Sequence, residues 1–295
     1  MSTLLQTALA MLAFAANSLL CRLALTEGLI DASNFTLIRL ISGATTLGLV
    51  LTLTQYRRTC GPRKHHQDAH SINQTNLRLG LLAGMALFGY ALLFSFAYIR
   101  LAAGTGALLL FGAVQLTLLL LYRWQGERFK RLECLGITIS LIGFVWLMFP
   151  SATRPDITSA LLMILSGVCW AIFTALGKQA PSPAHSITWG FISAAIICVI
   201  FSPLLFSTTT LTWMGVLLAT VSGVLASALG YLLWYQVMQK LSLLQAAVSQ
   251  LSVPVIALLL GASVLHEPLT LHNLITSIII LGGIALVFIA SKSTS

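Results

Sequence analysis

The feature that most constrains this chain is its succession of long apolar runs, of which residues 107–121 and 275–290 are the clearest. A helix needs roughly 20 mostly apolar residues to cross about 30 Å of hydrocarbon. Strands of a membrane barrel alternate apolar and polar residues instead. Without water, a continuous apolar run satisfies its own backbone only as a helix. Composition agrees: 58% of residues are hydrophobic and 8% charged, against roughly 25% charged in soluble domains. The expected fold is all-α, a polytopic membrane protein whose immediate partner is the lipid bilayer.

About ten spans are predicted, at 4–24, 33–54, 77–97, 101–122, 133–149, 157–176, 187–206, 213–237, 243–265 and 271–290. The formal net charge of +9 could suggest a nucleic-acid partner. The basic residues lie between apolar segments, however, so the positive-inside rule accounts for them and no nucleic acid is expected. With a cytoplasmic N-terminus, the inside positions hold Arg57, Arg58, Arg63, Lys64, Arg78, Arg123, Arg128, Lys130, Arg131, Lys178, Lys240 and Lys292, and the outside only Arg22, Arg100 and Arg154. Both termini are therefore expected in the cytoplasm. A cleaved signal peptide is the rival reading of the first span, with Ala13-Phe14-Ala15 as cleavage site; it lacks the basic n-region. The cysteines form no CxxC pair and read as small apolar filler.

An internal repeat organises the rest. At an offset of 140, Arg100-Leu101 falls on Lys240-Leu241, Glu127 on Glu267 and Gly143 on Gly283. At an offset of 156, Phe14 falls on Trp170, Ala15 on Ala171, Ser18 on Thr174 and Arg22 on Lys178. The first half thus carries 16 more residues between its second and third spans, in the basic stretch 57–76. The halves are 1–150 and 151–295. Each holds five spans, an odd number, so the second copy enters the membrane from the opposite side. Inverted repeats of this kind are a device of secondary transporters.

Gly126-Glu127-Arg128 and His266-Glu267-Pro268 before the last span of each half, the stretch from Ser166-Gly167 to Trp170-Ala171, and Arg39 in the second span resemble the drug/metabolite transporter superfamily, in its ten-helix branch with two EamA-type repeats. The resemblance implies a bacterial inner-membrane carrier of small metabolites, often an amino-acid exporter. Its central cavity would be lined by the first four helices of each half, with the fifth peripheral. Val114 stands where the second half has Pro254, so a kink is expected in only one of the two fourth helices.

No acidic residue falls near the middle of a span: the seven are Glu27, Asp31, Asp68, Glu127, Glu133, Asp156 and Glu267. Intramembrane carboxylates are the usual carriers of coupling protons, so the pattern favours uniport, or coupling by some other group, over carboxylate-based proton exchange. Glu127 and Glu267 read as charges placed at helix N-termini. Arg39 supports two readings. It can clamp a substrate carboxylate, or it can snorkel to the outer interface or pair with Asp31, the stronger expectation from side-chain length. Trp170 is the aromatic candidate of the sixth span, with Tyr90 and Tyr231 in the third helix of each half. Asn17, Gln115 and Gln250 are amides inside apolar spans, fit for substrate or for interhelical bonds. These seven residues form the candidate substrate site.

Neither a metal constellation nor a dinucleotide motif is present, and no cofactor is expected. A nucleophile–base pair at membrane depth is also missing, which argues against an enzyme. The expected activity is export of small metabolites by alternating access, amino acids first. Multidrug or other metabolite transport (sugar or nucleotide-sugar) is the alternative: a lipophilic cation would lack a counter-ion, and the phosphates of a nucleotide sugar call for more cavity-facing Arg or Lys. A membrane enzyme or a non-transporting assembly partner is the alternative class, and a homo-oligomer is left open.

Overall fold

A computed structural model describes residues 2–59, 69–101, 103–148, 156–205, 210–264 and 270–292. His266, Glu267, Pro268, Cys60, Arg63, Lys64, Asp68 and Arg154 lie outside the described residues.

The chain is all-α. Its helices are α1 (Thr3–Thr26), α2 (Ala32–Thr59), α3 (Ala69–Tyr98), α4 (Ala103–Trp124), α5 (Arg131–Met148), α6 (Ile157–Gln179) and α7 (Pro183–Leu205). The eighth span joins α8 (Trp213–Val221), a π-helical segment (Ser222–Leu229) and α9 (Gly230–Met238). The ninth is divided into α10 (Leu243–Gln250) and α11 (Ser252–Val264), and α12 (Leu271–Lys292) closes the chain. Among the described residues, six helices are long and apolar enough to cross a membrane. Outside the helices, the described residues form one isolated antiparallel bridge, Ile30 to Leu211.

Local chemistry sets the helix ends. Ser2, Asp156, Thr212 and Ser242 accept hydrogen bonds from the first-turn N–H groups of α1, α6, α8 and α10, the groups a helix leaves unpaired. The Ser159 N–H and hydroxyl, with Arg100 at 3.8 Å, hold the Asp156 carboxyl below its ordinary pKa. The cap therefore acts fully above the usual carboxylate range and is lost as pH falls through the lowered value. Gly28 and Gly126 turn the chain with φ of 60° and 87°, where a side chain would be strained. Pro254 has no N–H to give the Gln250 carbonyl four residues earlier, and the ninth span breaks at Leu251. α4, with Val114 at the matching place, runs unbroken.

Small residues let the helices approach, as they must where lipid removes the hydrophobic drive between spans. A methyl group on Gly84 of α3 would lie 2.6 Å from the Gly190 oxygen and against Ser193 of α7. One on Gly223 of the π segment would lie 2.5 Å from the Arg39 oxygen and against Ser42 of α2. The two contacts are reciprocal: 190 − 39 and 193 − 42 both equal 151. The fifth span of each half packs on the other. A methyl on Gly136 of α5 would meet the Gly283 oxygen of α12 at 2.8 Å, and one on Gly283 the Gly136 oxygen at 2.7 Å. Beside them the Ser140 hydroxyl donates to the Ile280 carbonyl at 3.3 Å. Leu4, Leu49, Leu53, Ile200 and Ile278 are exposed on the outside, where lipid is the solvent.

Gly136→Leu is expected to destabilise the protein by about 1–3 kcal/mol through overpacking, seen as a lower melting temperature in detergent. Gly112, with nothing within 4 Å of an added methyl, is the control: Gly112→Ala is expected to leave the melt unchanged.

Candidate central binding site

Helical spacing brings one aromatic residue from each of four spans to a common centre. Trp170 of α6 touches Phe14 of α1, Tyr90 of α3, Tyr231 of α9 and its neighbour Phe173, with ring centroids 5.1, 4.8, 4.9 and 5.3 Å apart. These separations suit edge-to-face and tilted aromatic pairs. Phe14, Asn17, Ser18, Tyr90, Leu110, Phe111, Trp170 and Tyr231 line a cavity of about 20 Å³, room for about one water. The bundle is closed around its centre, and a substrate enters only if helices part.

Several polar groups of the lining are held by a neighbour. The Trp170 indole N–H donates to the Gln250 Oε1 at 2.5 Å. The break at Leu251 places Gln250 at the end of α10 for this bond, while its Nε2 donates to the Ala246 carbonyl. The Ser222 hydroxyl donates to the Asn17 Oδ1 at 2.6 Å.

Arg39 is the unusual member. It lies seven residues into α2, about 10 Å from the helix start at 1.5 Å per residue, and is 1% exposed. Its Nε donates to the Ser227 hydroxyl at 2.8 Å and its Nη2 to the Tyr231 hydroxyl at 2.6 Å. Its Cζ lies 5.4 Å from the Tyr90 ring centroid, within cation–π range. Its Nη1 is buried with no hydrogen-bond partner. The snorkelling expectation is therefore corrected: the guanidinium points into the bundle, because two hydroxyls and a ring face await it there. The Asp31 pairing is corrected as well. Asp31 accepts from Ser33 N, Asn34 N and Asn34 Nδ2 instead, capping α2.

Six of the seven candidates thus form one connected cluster. Arg39 stands behind the cavity lining, joined to it through Tyr231 and Tyr90, and Gln250 behind Trp170. Gln115 is buried with its Nε2 unpartnered, and it is not among the residues that line the cavity. Sequence reasoning did not nominate Phe14, Ser222 or Ser227. Phe14 carried a signal, its match to Trp170 at the 156 offset. The two serines belong to the π segment, whose wider turn offers Ser222 to Asn17 and Ser227 to Arg39. Such segments recur at functional sites.

A closed, polar-aromatic centre inside a bundle of apolar helices marks a polytopic membrane protein with an interior site. Comparison with known proteins makes this specific. Residues 157–289 match the EamA-like transporter family. The chain is 44% identical over 285 residues to an uncharacterized protein of Pseudomonas aeruginosa, covering 97% of this chain and 94% of that one. It is 28% identical over 211 residues to an uncharacterized transporter of Archaeoglobus fulgidus, covering 69% and 75%. It is 21% identical over 258 residues to the uncharacterized transporter YoaV of Bacillus subtilis, covering 85% of each. A solved crystal structure at 17% identity shares the fold with a TM-score of 0.71 over 97% of this chain and 98% of that one. The chain belongs to the EamA-like transporter family of the drug/metabolite transporter superfamily.

Arg39→Met removes a buried charge and leaves two neutral hydroxyls behind. Burying an ion costs several kcal/mol that an apolar side chain avoids, so the variant is expected to melt no lower than the native protein in detergent while losing transport. Trp170→Phe keeps the ring packing and strips the Gln250 Oε1 of its donor. It is expected to cost about 1–3 kcal/mol and to lower transport at unchanged membrane levels.

Proposed function

We propose that the protein is a secondary carrier that exports small carboxylate-bearing metabolites, amino acids first among them, from the cytoplasm across the inner membrane. The observation that carries the reading is the buried Arg39 guanidinium, with Nη1 unpartnered beside an aromatic cluster. A carboxylate pairs with a guanidinium edge through two parallel hydrogen bonds, and aromatic faces accept an apolar body.

In this reading residues 1–150 and 151–295 are inverted repeats, and both termini are cytoplasmic. The reciprocal contacts of Gly84 with Ser193 and Gly223 with Ser42 support the repeat. So does the direct meeting of Phe14 with Trp170, the pair related by the 156 offset. Exchange of conformation between the halves would open the centre to one face and then the other. The residues divide the work. Arg39 anchors the carboxylate, Trp170, Tyr90, Tyr231 and Phe14 pack the body, and the Asn17–Ser222 and Trp170–Gln250 bonds open as the helices part. Multidrug and nucleotide-sugar transport rank lower. A lipophilic cation meets no carboxylate near the middle of a span, and a phosphate would call for more than one buried cation.

The test compares the growth media of cells overproducing the native protein and the Arg39→Met form at matched membrane levels. A small set of carboxylated metabolites is expected to accumulate outside only with the native protein. Identical media under conditions that vary the nitrogen source would overturn export.

A further inference from the structure

Among the described residues three buried side-chain polar atoms have no hydrogen-bond partner: Arg39 Nη1 at the centre, Gln115 Nε2 outside the cavity lining and the Ser186 hydroxyl near the start of α7. The one at the centre is a charged donor. The acceptors nearby are engaged. Asn17 Oδ1 takes the Ser222 hydroxyl, Gln250 Oε1 takes the Trp170 N–H, and the Tyr231 and Ser227 hydroxyl oxygens take Arg39. Among the described residues no carboxylate pairs with the guanidinium, whose bonds are to neutral hydroxyls. Of the described acids, Asp31 caps α2, Glu133 accepts from Lys130 N, and Asp156 caps α6 beside Arg100.

We propose that the transported species is a net anion, a monocarboxylate without a free ammonium, such as an N-acylated amino acid, and that each turnover therefore carries one negative charge outward. The proposal rests on the reading of Arg39 as the substrate anchor and narrows the carboxylate-bearing class to acids without a free ammonium, in place of the free amino acids put first above. An anion neutralises the buried guanidinium and satisfies Nη1. A zwitterion would add an ammonium to an aromatic-walled centre where the Asn17, Gln250, Ser227 and Tyr231 oxygens already accept hydrogen bonds and no carboxylate is at hand to pair with it, and an unpaired buried charge is costly. The charge also supplies the driving force. No carboxylate lies near the middle of a span to move a coupling proton. Outward movement of an anion runs downhill in an inside-negative membrane, and the potential alone sustains a gradient of about 50-fold per 100 mV.

The experiment reconstitutes the full chain in sealed vesicles and records both charge movement and chemical flux under an imposed potassium-diffusion potential. The probes are leucine, N-acetylleucine and leucinamide, with the same three forms of phenylalanine. They hold the body fixed while the molecule is zwitterion, anion or cation. The proposal expects the N-acetyl forms to move with a negative-charge current and an accumulation ratio that follows the potential. It also expects more than a tenfold loss of flux in Arg39→Met and partial retention in Arg39→Lys, with protein-free vesicles correcting for leak. If free leucine or phenylalanine moves without current and the N-acetyl forms do not, the net-anion proposal is overturned while the carrier reading stands. Movement of the amides with a positive current overturns both this proposal and the anchor role of Arg39. If none of the six moves in vesicles whose protein is monodisperse and fully folded, the proposal also fails, and the medium comparison decides separately whether export survives.

Discussion

A guanidinium held in the middle of a helical bundle by two hydroxyls and a ring face is the interaction around which this structure is arranged. Arg39 on α2 reaches Ser227 of the π segment and Tyr231 of α9, partners 188 and 192 residues away in the chain. It thereby ties the first half to the second at the depth of the binding site. The bonds are between a charge and neutral groups, so they leave the charge itself unbalanced. In a soluble protein such a residue would turn to water. In this bundle the lining is closed, and the guanidinium keeps an unpartnered N–H edge.

The geometry needed to hold Arg39 comes from very small residues. Gly223 lets the π segment press against the Arg39 backbone and Ser42, which brings Ser227 and Tyr231 within reach. The π winding then sets Ser222 toward Asn17 on α1 as well. A break rather than a widening does the comparable task on the ninth span, where Pro254 ends α10 at Gln250 and frees that amide for Trp170. α4 and α3, the corresponding helices of the first half, are continuous. The proposed repeats are thus similar in packing and different in their irregular turns, and the irregular turns sit in the half that does not carry the arginine.

Much of the architecture was legible in the sequence because lipid reverses the usual rule for surfaces: apolar composition marks the spans directly. The predicted spans fall on the observed helices, and α4 and α10–α11 differ as Val114 and Pro254 suggest. The π segment was not legible, since a run such as Ser222–Leu229 has no periodicity that separates a wide turn from an ordinary one. Trp170, Tyr90, Tyr231, Asn17 and Gln250 were chosen as polar or aromatic residues inside apolar spans, and that criterion brought them to one cluster. Gln115 met the same criterion and lies outside the cavity lining, because type and depth do not fix which face of a helix looks inward. Arg39 was misjudged for a related reason. Snorkelling follows from side-chain length alone, whereas its actual direction is set by Ser227 and Tyr231 of the eighth span and the Tyr90 ring of the third, partners that the sequence pattern does not place beside it.

The central claim is that the free edge of Arg39 receives the carboxylate of the transported molecule. The most direct measurement is an experimental structure of the protein in a lipid nanodisc with a transported carboxylate bound. The account predicts carboxylate density within hydrogen-bond distance of Nη1, with the Trp170, Tyr90 and Tyr231 rings displaced to admit the body. Density elsewhere in the bundle, with Arg39 still sealed against Ser227 and Tyr231 and its Nη1 unoccupied, would contradict it.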